Sequence, residues 1–210
     1  MTEVGDSGST PARPESPRVR LGRDGDRPAI VVDGVIQSVV VEKDRKDSRG
    51  LSYWSEMLPD ARPDSALVLG LGGGTVVQLL YERFGPLPVV GVERDPAVVA
   101  LAREHFGFAD LEPRGLQVVL GDAFEYVAEC EGSFDLILVD LYDGLQPARG
   151  FLAKPFLRRV KGLLTPGGLA VYNLVLGRRL PKHLHRLMEV YQSVKPIDVE
   201  FNVVVHCRAR

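Results

Sequence analysis

Cysteine is scarce in this chain of 210 residues: Cys130 and Cys207 are all it has. Two thiols cannot build a disulfide framework, so the fold must rest on its own core, and a reducing compartment is expected. An excess of one charge is missing too. The net charge of −2 is too small to draw the chain to nucleic acid or to an anionic membrane. No apolar run reaches the ~20 residues of a membrane-spanning helix, and the N-terminus lacks the basic-then-apolar pattern of a signal peptide. The cytoplasm is therefore the expected location. His183 and His185 lie two apart and share no helical face, so no metal site is expected. Both cysteines read as small buried apolar groups.

What is present suits one globular domain with a substantial core, at 45% hydrophobic and 26% charged residues. Residues 1–17 are rich in Gly, Ser, Thr and Pro and read as a disordered tail. Two β-branched runs in residues 29–41 flank Asp33-Gly34, a strong hairpin signal. The charged residues 42–50 read as a solvated loop, and residues 52–58, with Tyr53 and Trp54, as a short helix. From Ser65 onward, apolar strands alternate with helices. Strands are expected at 66–69, 89–93, 116–120, 134–139 and 169–173. Helices are expected at 75–84, after the Asp95-Pro96 cap, around 124–130, and at 154–164 and 181–193. Thr165-Pro166-Gly167-Gly168 stops the helix at 154–164. Residues 197–208 hold two β-rich stretches with no room for a helix between them, so they must be antiparallel neighbours.

The pattern implies an α/β fold: a Rossmann-like, seven-stranded, mostly parallel sheet with helices on both faces, an antiparallel C-terminal strand and a small N-terminal β-hairpin. Its expected parts are the tail at 1–17, the hairpin and lead-in at 18–64, and a ligand-binding domain at 65–210.

Ligands of such sheets bind beyond the carboxyl ends of the strands, and four features fall there. Gly70-Leu71-Gly72-Gly73-Gly74 follows the first parallel strand and allows close backbone approach to a ligand or simply a tight turn. A dinucleotide-type GxGxxG fails because its third glycine is Thr75. Glu93 ends the second strand and can accept both hydroxyls of a ribose or stand as a solvated charge. Asp122 can accept from an exocyclic amine while the Ala123 amide donates to a ring nitrogen, which together would read adenine; Asp122 can equally cap the next helix. Asp140 and Asp143, at the end of the fourth strand, can hold and deprotonate an amine; Asp143 also suits an Asp-Gly turn.

Taken in order, these residues resemble the spermidine-synthase-like branch of S-adenosylmethionine-dependent transferases, from about Val32 to Cys207. The resemblance implies that Gln37, Gly70, Gly72, Gly74, Glu93, Asp122 and Ala123 bind S-adenosylmethionine or its decarboxylated form, and that Asp140 and Asp143 serve the attacking amine. Aminopropyltransferases of this branch carry Asp directly after the three glycines, where it anchors the decarboxylated cofactor's free amine; this chain has Thr75. Their Asp-Ser-Ser-Asp-Pro loop reads Asp140-Leu-Tyr-Asp-Gly144 here. Gly70 to Gly74, His105 to Phe108, Phe156 to Pro166, Tyr172 to Leu174 and Glu200 to Cys207 look more like the methyltransferase-like enzymes that modify a translation elongation factor. Methyl transfer, to a nitrogen nucleophile, is the expectation that follows. Aminopropyl transfer to a diamine and a non-catalytic, cofactor-binding partner subunit are the alternatives. The expected partners are a small amine or a protein amine, together with a homodimer, and neither nucleic acid nor membrane. Tyr53 and Trp54 read as core packing or as an aromatic wall beside a cation.

Overall fold

The computed structural model describes residues 18–41, 52–144 and 146–209. The tail expected at 1–17 and the loop expected at 42–50 lie outside the described residues. The chain opens with three antiparallel strands, β1 (Val19–Asp24), β2 (Arg27–Val32) and β3 (Val35–Val39), in the order β1-β2-β3. Asp33 and Gly34 both have positive φ, 50° and 81°, which is the turn whose twist matches that of flanking strands. The hairpin expected from Asp33-Gly34 is thus present, with β1 added along its free edge. β1 escapes a reading by pattern because its side chains are half-exposed or exposed throughout; backbone pairing to β2 holds it, with Val19 packed against the core.

The helix α1 (Ser52–Glu56) leads into the main body. There β4 (Ala66–Leu69), α2 (Thr75–Phe84), β5 (Val89–Glu93), α3 (Pro96–His105), the short α4 (Phe108–Leu111), β6 (Leu116–Leu120), α5 (Ala123–Glu129) and β7 (Phe134–Val139) follow in turn. A two-stranded ribbon, β8 (Tyr142–Asp143) and β9 (Gln146–Pro147), precedes α6 (Lys154–Gly162), β10 (Leu164–Val175), α7 (Leu180–Met188), β11 (Ser193–Val199) and β12 (Asn202–Arg208). The central sheet has seven strands in the order β11-β12-β10-β7-β4-β5-β6. β12 runs antiparallel to both neighbours, and the other pairings are parallel.

Strand alternation divides the core between the two faces. Ala66, Val68, Leu136 and Leu138 pack with Val77, Leu80 and Ala102 and with Ile30 and Val32 of the N-terminal sheet. Leu67, Leu69, Ile137 and Val139 pack with Val127, Leu157 and Leu187. Both faces are covered, so β4 and β7 are apolar at nearly every position. Cys207 is buried, whereas Cys130, expected to be buried as well, is only partly so.

Several boundaries differ from expectation: the helices expected at 52–58 and 154–164 end at Glu56 and Gly162. β10 begins at Leu164 and runs through Thr165-Pro166-Gly167-Gly168, although regular pairing with β7 starts only at Leu169, after a register shift. The last helix, expected to reach Ser193, ends at Met188, and Ser193 opens β11 instead. Pro196 is tolerated there because β11 is an edge strand whose outward amides have no partner to lose. Among the described residues, no helix is long and apolar enough to cross a membrane.

Candidate functional site

The chain leaves β4 toward β5 and β6 on one side, then returns to β7 on the other. A crevice opens at this reversal, beyond the carboxyl ends of the strands, where open α/β sheets bind ligands. The N-terminal sheet and α1 help to wall this cleft. Gln37, Gly70, Gly72, Glu93, Asp122, Ala123, Asp140 and Asp143 all line it. Of the residues given a cofactor-binding or catalytic role, Gly74 alone is not among the lining residues, and neither Gly73 nor Tyr53 is among them; at φ 73° Gly74 caps α2, and a Cβ there would meet the Phe108 ring at 2.7 Å.

The glycine loop is shaped by close approach. The amides of Gly70 and Leu71 both donate to the Val92 carbonyl at 3.0 Å. Gly70 has φ +86°, and a Cβ on it would lie 2.1 Å from the Asp140 carbonyl oxygen, so only glycine fits between β4 and the acidic loop. Gly72 donates its amide to Glu93 Oε2 at 2.9 Å, and Asp95 donates its amide to Oε1 at 3.0 Å. Glu93 is thereby held at the end of β5 by two backbone donors.

Asp122 caps α5: its Oδ1 accepts from the amides of Phe124 at 2.7 Å and Glu125 at 3.2 Å. The capping alternative raised by the sequence is therefore real. The cap falls on one oxygen and leaves the Ala123 amide, in the first helical position, with no helix acceptor. A carboxylate oxygen and an adjacent amide donor remain side by side at the cleft wall.

Asp140 sits deeper. Its Oδ1 accepts from Asn173 Nδ2 at 2.8 Å, and its Oδ2 accepts a long bond from the Tyr53 hydroxyl at 3.4 Å. Burial pushes its carboxyl from 3.8 up to about 6, against the opposing pull of these two donors. Burial and the Asp140 charge hold the Tyr53 hydroxyl well above the ordinary tyrosine value, so it stays a donor. Trp54 is buried beside Tyr53, their ring centroids 4.2 Å apart, and reaches the cleft wall. Asp143, only three residues on, is 54% exposed, and its Oδ1 is shared by Arg18 Nη2 at 2.8 Å and Arg94 Nη2 at 2.9 Å.

Sequence reasoning gave no role to Arg18, Arg94, Ser38, Asn173 or Asn202. Asn173 left a signal: it is a polar residue, 3% exposed, inside a strand otherwise apolar from Leu169 to Val175, and such a group must find partners. Arg18, Ser38 and Asn202 left none. Ser38 Oγ accepts from the Gly73 amide at 2.7 Å, and Thr75 Oγ1 both donates to the Val39 carbonyl at 2.8 Å and accepts from its amide at 3.2 Å. These bonds pin the N-terminal sheet onto the glycine loop, and Gln37 donates across the cleft to the Gly144 carbonyl at 3.3 Å.

The strand order and the single antiparallel strand beside the edge define the class: a Rossmann-like transferase fold of the methyltransferase type. The spermine/spermidine synthase domain matches residues 54–207, most of the chain. The chain belongs to the spermine/spermidine synthase family. A polyamine aminopropyltransferase of Chromobacterium violaceum is 29% identical over 188 residues, which is 87% of this chain and 72% of that protein. The human eEF1A lysine and N-terminal methyltransferase is 30% identical over 164 residues, 70% of this chain but only 23% of the human protein. The crystal structure of human methyltransferase-like protein 13 in complex with SAH superimposes with a TM-score of 0.66 at 25% identity, covering 79% of this chain and 83% of that one.

Proposed function

We propose that the chain transfers a methyl group from S-adenosylmethionine to an amine nitrogen. The donor set of the cleft fits such a nucleoside. Glu93 faces it with carboxylate lone pairs beyond the two spent on backbone amides, suited to a ribose diol. Asp122 and the Ala123 amide offer the acceptor–donor pair that matches the edge of adenine. The methyltransferase-like neighbour that holds SAH supports this placement.

The observation that carries methyl over aminopropyl transfer is Thr75. The resemblance to aminopropyltransferases calls for an acid at this position to anchor a free amine. Thr75 is 2% exposed, and its hydroxyl is committed to Val39 as both donor and acceptor. It offers an amine no charge.

When bound, S-adenosylmethionine supplies a methyl carbon activated by the adjacent sulfonium charge. The residues of the chain do the rest by holding the amine and taking its proton. Asp140 Oδ1 is occupied by Asn173, which leaves Oδ2, with only the long Tyr53 bond, to accept an N–H from the amine. At neutral pH the Asp140 carboxyl, near 6, is ionised and can receive that proton. Asp143 closes the mouth with Arg18 and Arg94, and their two guanidiniums weaken it as a hold for a cationic amine.

Aminopropyl transfer is the second reading. It is favoured by the alignment with the Chromobacterium enzyme, which spans more of this chain than the methyltransferase alignment does. Calorimetry with the two cofactors separates the readings. Methyl transfer expects S-adenosylmethionine to bind more tightly, because the decarboxylated form lacks a charge-assisted partner worth ~1.5–3 kcal/mol. Tighter binding of the decarboxylated form would overturn the preference. Within either reading, Asp140→Asn is expected to cut turnover by ~10²–10⁴-fold while S-adenosylhomocysteine still binds.

A further inference from the structure

Asn173 holds Asp140 with a side chain that has a donor at one end and an acceptor at the other. Which end meets the carboxylate decides whether its charge is favoured or opposed. Asn173 cannot settle this alone, because the two orientations of an amide have nearly the same shape. The ionised carboxylate calls for the donor end, and a second amide takes up the other. Asn202, the first residue of β12, pairs with Val175, while Asn173 pairs with Val204. Asn202 is therefore the diagonal cross-strand neighbour of Asn173, on the same face of the sheet. Its Nδ2 donates to Asn173 Oδ1 at 2.9 Å, and Asn173 Nδ2 in turn donates to Asp140 Oδ1 at 2.8 Å.

We infer that Asn202 is a positioning residue for Asp140, acting through Asn173: by occupying the acceptor end of the Asn173 amide it holds the donor end on the carboxylate. The inference rests on the reading of Asp140 as the group that receives the amine, and it assigns a role to a residue 62 positions further along the chain. The titratable groups facing Asp140 are Tyr53 from α1 and Tyr142 from the acidic loop. Burial raises both hydroxyls above the ordinary tyrosine value, so neither ionises near neutrality. Arg18 and Arg94 are each paired with Asp143 at the mouth, Arg18 also with Asp33, and Glu93, Asp95 and Asp122 line the cleft at the ends of β5 and β6. Burial raises the Asp140 carboxyl itself from 3.8 to about 6.

The test is a carboxyl-carbon NMR titration of Asp140 in the ligand-free protein, with Asp140→Asn supplying the assignment. Asn173→Leu, which removes the donor, is expected to raise the Asp140 midpoint by about one pH unit or more. Asn202→Ala frees the Asn173 amide to turn and is expected to raise the midpoint by a smaller step. On the Asn173→Leu background, Asn202→Ala should add nothing. A midpoint unmoved by Asn202→Ala, or moved equally on both backgrounds, overturns the inference. Should the Asn202 variant fail to fold, the native protein still decides. The Asn173 side-chain amide resonances must follow the Asp140 titration, and an amide that ignores it overturns the role. None of these measurements needs cofactor or acceptor. A protein that transfers nothing, yet shows this coupling, refutes the function proposed above and not the amide chain.

Discussion

At the β5–β6 end of the cleft, Glu93 and Asp122 are held by backbone amides, most of them two or three residues away. At the β7 end, Asp140 is held by side chains 33 and 87 residues distant, and the amide that orients one of them comes from a further strand. Both ends use carboxylates, but in different surroundings. The first kind of site is made by the shape of a strand–turn–helix unit and comes with the fold. The second exists only once α1, β7, β10 and β12 have packed, and its acid is desolvated enough to have its pKa raised. The β5–β6 end is therefore expected to be the more forgiving of side-chain change and the less forgiving of backbone change.

The largest effect should come where the two ends meet. Gly70→Ala places a Cβ against the Asp140 carbonyl oxygen in a left-handed conformation. It is expected to cost ~3 kcal/mol or more of folding stability, measured by chemical denaturation. Gly144→Ala provides the contrast. It shares a positive φ of 60° but opens onto empty space, so its cost should stay near the ~1 kcal/mol of the conformation alone. Equal costs at the two positions would break the distinction between a backbone-built wall and a loop.

A smaller effect should separate stability from activity at Asp140. Its carboxyl is raised from 3.8 to about 6 in the folded chain, so between those values the folded state keeps a proton that the unfolded state has released. Its contribution to stability is fully present below 3.8 and is lost as pH rises through 6. Asp140→Asn should therefore gain on the native chain as pH rises from 4 to 8, by about 1–2 kcal/mol, less than the full shift would carry because the acid borders an open cleft. The native turnover should move the other way and fall as pH drops below about 6. A stability difference independent of pH would show that Asp140 is not desolvated and would break the contrast.

The smallest effect is expected at the mouth. Asp143 is paired with Arg18 and Arg94, all three about half-exposed, and Asp143→Ala should change stability by less than ~1 kcal/mol. Thermal unfolding at low and high salt checks this, since an exposed ion-pair cluster is screened. A larger, salt-independent loss would place Asp143 with Asp140.

The chain's order of residues determined more of the β5–β6 end of the cleft than of the β7 end, for a local reason. Apolar strands that end in glycine, in Glu93 or in Gly121-Asp122 announce their own geometry, because each feature lies within one strand–turn–helix unit. The same locality made the seven-stranded sheet legible from 66–69 onward. The structure alone decided that Thr75 is spent on Val39, that Tyr53 reaches Asp140 instead of merely packing, that Asp143 is shared by two arginines, and that Asn173 and Asn202 stand behind the acid. These partners are distant in sequence, and a side chain's hydrogen bonds depend on which strands become neighbours. Period and propensity along a chain carry no record of that choice; packing the sheet makes it.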